Sequence, residues 1–275
     1  MPNNIPNTSL EAMQTEDIDA VLAVIESQDD DDAEEAEPGF RAIGGCLDQF
    51  VIRDNGKIIG VTGYLTPPAC EQTYWLSWTY VDAAHANQGH GRKMLNALIE
   101  HLKEKDARML FVNVSDYVDD DPEEGDNGAI YAAALHLYQS LGFKIEITHP
   151  DYYDKGESQI VLGLRLSETP AMIMESDTPQ ENVAINFKAV YEIADTDDAY
   201  SFAWDDEGEQ IFSADDVRIG LDDVRDKEGR AVFLSFPSNY SYVGDLLISA
   251  GFKKSGVLHD YYDDGIHDQH FTYMF

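Results

Sequence analysis

Basic residues are scarce in this chain. Eighteen Lys and Arg stand against 53 Asp and Glu, a formal net charge of −35 over 275 residues. A surface of that sign repels phosphate backbones and anionic headgroups, so nucleic acid and membrane surfaces are excluded as partners. Cysteine is scarcer still. Cys46 and Cys70 have no metal-ligand spacing and make no disulfide framework, so no metal is expected. The opening stretch MPNNIPNTSLEAMQTED has neither the basic start nor the apolar core of a signal peptide. No apolar run approaches the roughly 20 residues that span a bilayer. A soluble, cytoplasmic protein is the expectation.

Apolar residues at 43% and aromatics at 11% suffice for packed cores. LEAMQTEDIDAVLAVIES has apolar residues at helical spacing and predicts a helix over 15–27. The like-charge run DDDDAEEAEP, Asp29 to Pro38, reads as a solvated loop. QFVIRDNGKIIGVTGYL is a hairpin around Asp-Asn-Gly, and YWLSWTYV (74–81) reads as one buried strand. GRKMLNALIEHLKEK follows, with Met94, Leu95, Leu98, Ile99 and Leu102 on one face of a long helix. RMLFVNVS (108–115) is a strand and DYVDDDPEEGDNG an acidic loop. AIYAAALHLYQSLGF is a helix that Gly142 caps. KIEITH and QIVLGLRL close the series as strands around the turn-like PDYYDKGES. This order predicts a mixed α/β domain.

The second half repeats the first. LGFKIEITHPDYYDKG aligns without a gap on AGFKKSGVLHDYYDDG, with eight identities, Gly142 to Gly251 through Gly156 to Gly265, at one constant offset. Upstream, Lys105, Arg108 and Phe111 match Lys227, Arg230 and Phe233. The domains expected are 1–166, a linker over 167–182, and a truncated copy over 183–275. The second copy carries Ile211 and Ser213 in place of Gly89 and Gly91, and Leu247 in place of Tyr138. Whatever chemistry the glycines and the tyrosine do, the first copy alone can do it.

HANQGHGRKML (85–95) is the stretch that points to chemistry. A strand, a glycine turn and a helix start make an anion seat, because the backbone amides curl inward and the helix dipole adds positive charge. Arg92 and Lys93 sit in a first turn where the dipole favours acids, which makes sense when an anion occupies the turn. No Gly-Lys-Ser/Thr follows, and the third glycine and distal acid of a dinucleotide fingerprint are lacking.

WTYVDAAHANQGHGRKMLNALIEHLKEKDARMLFVNV and LHLYQSLGFK together resemble the GNAT superfamily of acetyl-CoA-dependent N-acetyltransferases. Gly89, Gly91, Tyr138, Gly142 and Phe143 match its Gln/Arg-x-x-Gly-x-Gly/Ala loop and its Tyr-x-x-x-Gly-Phe ending. The likeness covers about residues 10–166, with the second half as a partial copy. Two departures stand out: Ala86 replaces the loop's Gln or Arg, for which Gln88 or Arg92 could compensate, and Tyr131 replaces an asparagine while Ala134 is kept.

The resemblance implies a GNAT-like α/β fold with acetyl-CoA as co-substrate. It implies that the pyrophosphate rests on Asn87, Gln88, Gly89, His90, Gly91, Arg92 and Lys93, and that the pantetheine pairs with the backbone near Tyr80 and Val81, with Ala134 also at the cofactor. Tyr138 stands at the family's general acid for the departing thiolate. The general base stays open among Asp82, Glu71, Asp116 and a water chain.

The Asp151-Tyr152-Tyr153 stretch either lines the acceptor pocket or stabilises a turn; its recurrence as Asp260-Tyr261-Tyr262 favours the turn. His101, His136, His149 and His259 carry no metal spacing. The acceptor expected is an amine, on a small cationic molecule or on a protein. A non-catalytic acyl-CoA-binding module is the competing reading. A homodimer is compatible with the sequence, and so is a second copy that replaces a partner subunit.

Overall fold

The computed structural model describes residues 9–68, 70, 72–118, 131–167, 185–205 and 212–275. The chain divides into two compact units. One is Met1–Pro68 with Gln72–Val112 and Arg165–Glu168; the other is Ala69–Glu71 with Asn113–Leu164 and Thr169–Phe275. Among the described residues no helix is long and apolar enough to cross a membrane.

The first unit opens with β1 (Glu11–Ala12), a 3₁₀ turn and α1 (Ile18–Glu26), as the apolar spacing predicts. Asp29–Pro38, read from its charge as a loop, is instead most of α2 (Asp30–Arg41). Two things make it helical. Asp29 accepts the Asp32 amide at 3.1 Å, and Asp30, Asp31 and Asp32 fill a first turn whose dipole favours acids. Ala33, Ala36 and Phe40 then fall on one face and pack on Val21, Val24 and Ile25 of α1.

β2 (Gln49–Asp54) and β3 (Lys57–Leu65) form the hairpin, turning at Asn55 and Gly56, both with positive φ. The 74–81 run is not one strand. β4 (Thr73–Leu76) stops, Ser77 donates to the Gly63 carbonyl at 2.9 Å, and Thr79 bonds Thr62 before β5 (Tyr80–Val81) resumes. α3 (His90–Glu104) follows with the five expected apolar residues buried, and then β6 (Met109–Ser115). The strand order in this unit is β1-β2-β3-β4-β6, with β5 added to β3.

The second unit holds α4 (Ala132–Ser140), β7 (Lys144–Asp154) and β8 (Glu157–Arg165). It continues with β9 (Asn186–Glu192), β10 (Ala199–Asp205), α5 (Ala214–Asp226), β11 (Ala231–Pro237), α6 (Ser241–Ser249), β12 (Lys253–Asp263) and β13 (Ile266–Met274). Its sheet runs β8-β7-β12-β13-β11-β10-β9.

PDYYD, read as part of a turn, lies inside β7. Its irregularity is a shift in strand register between His149 and Asp154, where Asp151 is left-handed at φ 51°. Asp151 Oδ1 accepts the Gly156 amide at 2.7 Å, and Asp260 repeats the bond to Gly265 at 2.8 Å. In both places the aspartate closes the hairpin, as a turn-stabilising role requires.

The repeated elements share lengths: seven residues in β6 and β11, nine in α4 and α6, eleven in β7 and β12, nine in β8 and β13. Even the helix ends agree. Phe143 donates to the Tyr138 carbonyl at 3.2 Å and Gly142 to Gln139 at 3.0 Å, with Gly142 at φ 99°. Phe252 to Leu247 and Gly251 to Ile248 repeat this at 3.0 Å each, with Gly251 at φ 100°.

The two α-helices that precede β6 and β11 differ at their starts. Ser213 caps α5, accepting the Asp216 amide at 3.4 Å and donating its own amide to the Asp216 carboxylate at 2.8 Å. α3 has Gly89 at its N-cap, no side-chain cap and no acid in its first turn. The groove beside β10 also differs. β10 and β11 pair only at Ala199–Ala231 and Tyr200–Val232; beyond that, Trp204 stacks on Phe236 at 4.7 Å, with Phe212 and Tyr240 around them. Aromatic side chains fill that opening.

Candidate cofactor-binding and catalytic site

β4 and β6 run parallel and pair at Thr73–Met109, Tyr74–Leu110 and Trp75–Phe111, and there the pairing ends. Past Leu76 the chain parts from β6 but stays along β3, where the Tyr64–Leu76 pair is followed by Tyr80 and Val81 facing Val61 and Gly60. This departure leaves a split beside β5, the place where the sequence resemblance puts the pantetheine. The Tyr80 hydroxyl donates to Asp32 of α2, and Gln28 donates to the Val81 carbonyl at 2.8 Å. Two residues from the acidic end of α1 and from α2 therefore brace β5.

Asp82 builds the loop that follows. It accepts the Ala84 amide at 2.9 Å, starting a 3₁₀ turn over Ala83–His85, and it pairs with Lys57 Nζ at 3.0 Å. Lys57 holds the Asp82 carboxyl below the ordinary carboxylate range. A base so committed is poorly suited to taking a proton from substrate. Ser27 accepts the Ala83 amide at 3.0 Å and pins the same turn to α1.

The chain then reaches Asn87 at φ 58° and Gly89 at φ 83°, a left-handed N-cap that only glycine adopts without strain. A β-carbon at Gly89 would meet nothing within 4 Å, so the glycine answers to its backbone conformation and not to crowding. Gln88 donates to the Ala84 carbonyl at 3.2 Å, within the loop itself, and Arg92 is exposed.

Around this uncapped helix start, three side-chain nitrogens are buried with no hydrogen-bond partner: His85 Nδ1, His90 Nδ1 and Lys93 Nζ. His85 Nδ1 lies 3.4 Å from Asp82 Oδ1 but is not aligned to bond it. Burial holds the His90 imidazole below its usual range, and Lys93 and His85 push the same way. Buried polar groups are ordinarily paired, and these three lie at the start of a 15-residue helix whose dipole favours negative charge.

Tyr138 and Ala134 lie on α4 in the second unit. Tyr138 is buried, its ring 5.6 Å from Phe143, and burial pushes its phenol well above the ordinary tyrosine range. Ala134 is half-buried. Of the remaining base candidates, Asp116 accepts the Ser158 amide at 2.5 Å, and Glu71 lies outside the described residues.

Residues that sequence reasoning passed over are Ser27, Gln28 and Lys57, which hold β5 and the loop from elsewhere in the chain. It read His149 as a histidine without metal spacing and passed over its half-buried partner His270, whose ring nitrogen is 3.1 Å away in the second unit. Burial beside His270 drives the His149 pKa down to about 3, so it stays neutral.

Residues 13–121, about two-fifths of the chain, match the model of the acetyltransferase (GNAT) family. No curated protein matches the chain. A GNAT-family protein from Desulfovibrio desulfuricans is similar at 22% identity, over 57% of this chain and 97% of its own, with a TM-score of 0.47. The ribosomal-protein-S18-alanine N-acetyltransferase of Escherichia coli is 22% identical over 61% of this chain and 99% of its own, TM-score 0.45. The Salmonella typhimurium protein yncA, solved with acetyl-CoA, is 19% identical over 61% and 99%, TM-score 0.45. At these identities and scores the solved structures add no weight to the family match. Residues 13–121 of this chain are a GNAT-family acetyltransferase domain.

Proposed function

We propose that this protein transfers the acetyl group of acetyl-CoA to a primary amine, with the cofactor's phosphates seated at the N-terminus of α3. The observation that carries this reading is the set of unpartnered nitrogens on His85, His90 and Lys93 around an uncapped, glycine-started helix. Phosphate oxygens accept from exactly such donors, and the amides of Asn87 to Lys93 complete the cradle. The split beside Tyr80 and Val81 gives the pantetheine arm an edge of backbone to lie along.

In the transfer, the neutral amine nitrogen attacks the thioester carbonyl carbon. The C–S bond breaks, the nitrogen loses a proton, and the CoA sulfur leaves as a thiolate that takes one. Tyr138 is the group assigned to that second proton. A buried phenol with a raised pKa stays protonated across the working range and is a donor at every pH the enzyme meets. The acceptor is read as a small cationic amine or a protein amine, because the surrounding charge is negative.

The experiment that tests the seat is calorimetric titration of acetyl-CoA into wild type and Gly89→Trp. Binding that disappears in a variant of unchanged circular dichroism supports the seat on α3. Equal binding by both proteins, or none by either, refutes it.

A pH series adds an independent check. His90 titrates below 6.5 in the free protein, and a bound phosphate raises that pKa. Protons therefore bind with the ligand, and acetyl-CoA affinity is expected to rise as pH falls from about 7.5 to 5.5. The 3′-phosphate of the cofactor titrates nearby and works in the opposite sense, so the comparison is with His90→Gln, whose affinity should climb less. Parallel curves for the two proteins would remove His90 from the site. Without ligand the sign reverses: a depressed His90 stabilises the fold above 6.5 and loses that contribution on acidification.

A further inference from the structure

Within the second unit, β7 pairs antiparallel with β12 at Ile147 and Gly256. These two residues are repeat equivalents, at the same spacing as Gly142 and Gly251. An antiparallel contact in which a residue faces its own counterpart is isologous, the pairing of a two-fold dimer. Here both sides belong to one chain.

The first half also receives a grip from the second. Arg230, the residue before β11, donates to three successive carbonyls: Asp151 through Nη1, and Tyr152 and Tyr153 through Nη2 at 3.1 and 3.0 Å. Its Nε donates to the Asp197 carbonyl at 2.6 Å, and the Asp197 amide donates to the Tyr153 carbonyl at 2.7 Å. Phe233 packs against the same stretch, its ring 4.8 Å from that of Tyr152 and 5.3 Å from that of His149. The left-handed Asp151 and the register shift beside it are therefore held by a guanidinium and packed against an aromatic ring, both from the second half.

What the grip fixes is the Tyr153 side chain. Its hydroxyl accepts from Asn113 Nδ2 at 3.2 Å and meets Gln159 Nε2 at 3.5 Å. Asn113 is on β6, two residues past Phe111, the last residue of that strand to pair with β4. Tyr153 thus touches the stretch of β6 that has already left β4. The second half meanwhile has a capped α5 and a groove filled by Trp204 and Phe236, and so offers no seat of its own.

We infer that the second half is a built-in partner subunit for the first, and that Arg230 is a positioning residue that holds the Asp151–Tyr153 bend and with it Tyr153 against Asn113. The part of this that concerns the acceptor amine rests on the acetyl-transfer reading above; the grip itself does not.

The test uses full-length Arg230→Ala, Arg230→Lys and Tyr153→Phe. Amide hydrogen exchange over residues 151–156 is expected to quicken about tenfold in Arg230→Ala and less in Arg230→Lys, because charge-assisted bonds to three carbonyls are lost or thinned. Tyr153→Phe should leave that exchange unchanged. Acetyl-CoA affinity by calorimetry is expected to stay within about twofold in all three, since a local opening of the hairpin leaves the α3 seat alone.

With spermidine and an alanine-started peptide as probe amines, KM for whichever amine is acetylated should rise in Arg230→Ala and Tyr153→Phe alike, while KM for acetyl-CoA holds. Unchanged exchange in Arg230→Ala, or acetyl-CoA affinity falling together with the amine KM, overturns the inference. A wild type that binds no acetyl-CoA would sink the acetyl-transfer reading while the exchange result still decides the grip.

Discussion

Tyr138→Phe is expected to lower kcat for acetyl transfer by about a hundredfold, in the range by which a positioned general acid accelerates proton transfer. The change removes one oxygen and little else. Tyr138 is buried and its ring packs on Phe143, contacts that phenylalanine keeps. Its backbone carbonyl, which closes the end of α4 by accepting from Phe143, is untouched. Acetyl-CoA affinity should therefore hold, and thiol release at saturating substrate should fall, the signature of an interaction made only in the transition state. The wild-type rate should show no alkaline loss attributable to this group near pH 10, because burial moves its ionisation above the ordinary value. A kcat within twofold of wild type would take Tyr138 out of the mechanism and leave it as a core residue like its counterpart Leu247.

Phe236→Ala should be the most destabilising single change in the second half. Phe236 is fully buried, stacks on Trp204 at 4.7 Å and touches the Phe212 ring, so truncation opens a cavity between rigid rings. Loss of a buried phenylalanine of this kind costs about 3–5 kcal/mol. Denaturant unfolding followed by tryptophan fluorescence would read the shift, with Trp204 reporting locally. Below that transition the acetyl-CoA heat is expected to persist, because the seat proposed for the cofactor draws on β5 and α3 of the first unit. Weakened cofactor binding at denaturant concentrations where the protein is still folded would mean that the second half does more than support the hairpin.

Local signals were the legible ones. The five apolar residues of α3, the Asn55–Gly56 turn and the twin helix ends at Gly142 and Gly251 each depend on neighbours a few positions away. The glycine loop was legible for the same reason. The acidic run at 29–38 misled because charge was weighed before spacing: Ala33, Ala36 and Phe40 already mark a buried face, and acids at a helix start are favourable there. The break between β4 and β5 was hidden because YWLSWTYV reads as one buried strand, and what divides it is a one-residue slip in its register on β3, from Tyr64–Leu76 to Val61–Tyr80. The bend at Asp151 was read as the turn that it only closes.

The supports of the site were hidden for a related reason. Lys57 reaches Asp82 from the next hairpin strand, and Ser27 and Gln28 reach the loop and β5 from the end of α1. No local pattern marks a residue whose partner is more than twenty positions off. Arg230 is the extreme case, since its neighbours in sequence give no hint that its guanidinium closes on a bend in the other copy.

The pairing of Ile147 with Gly256 has a consequence for how such an interface can change. In a dimer of identical chains a residue on the two-fold axis meets itself, so any substitution is made twice and large must face large. In one chain the two sides mutate separately. A β-carbon at Gly256 would come within 2.8 Å of Ile147 Cγ1, so the glycine is the socket into which the isoleucine fits. A knob and a socket at one symmetric position are closed to a dimer of identical chains, and joining the copies frees each to specialise, one keeping a glycine-started α3 while the other fills its groove with aromatic rings.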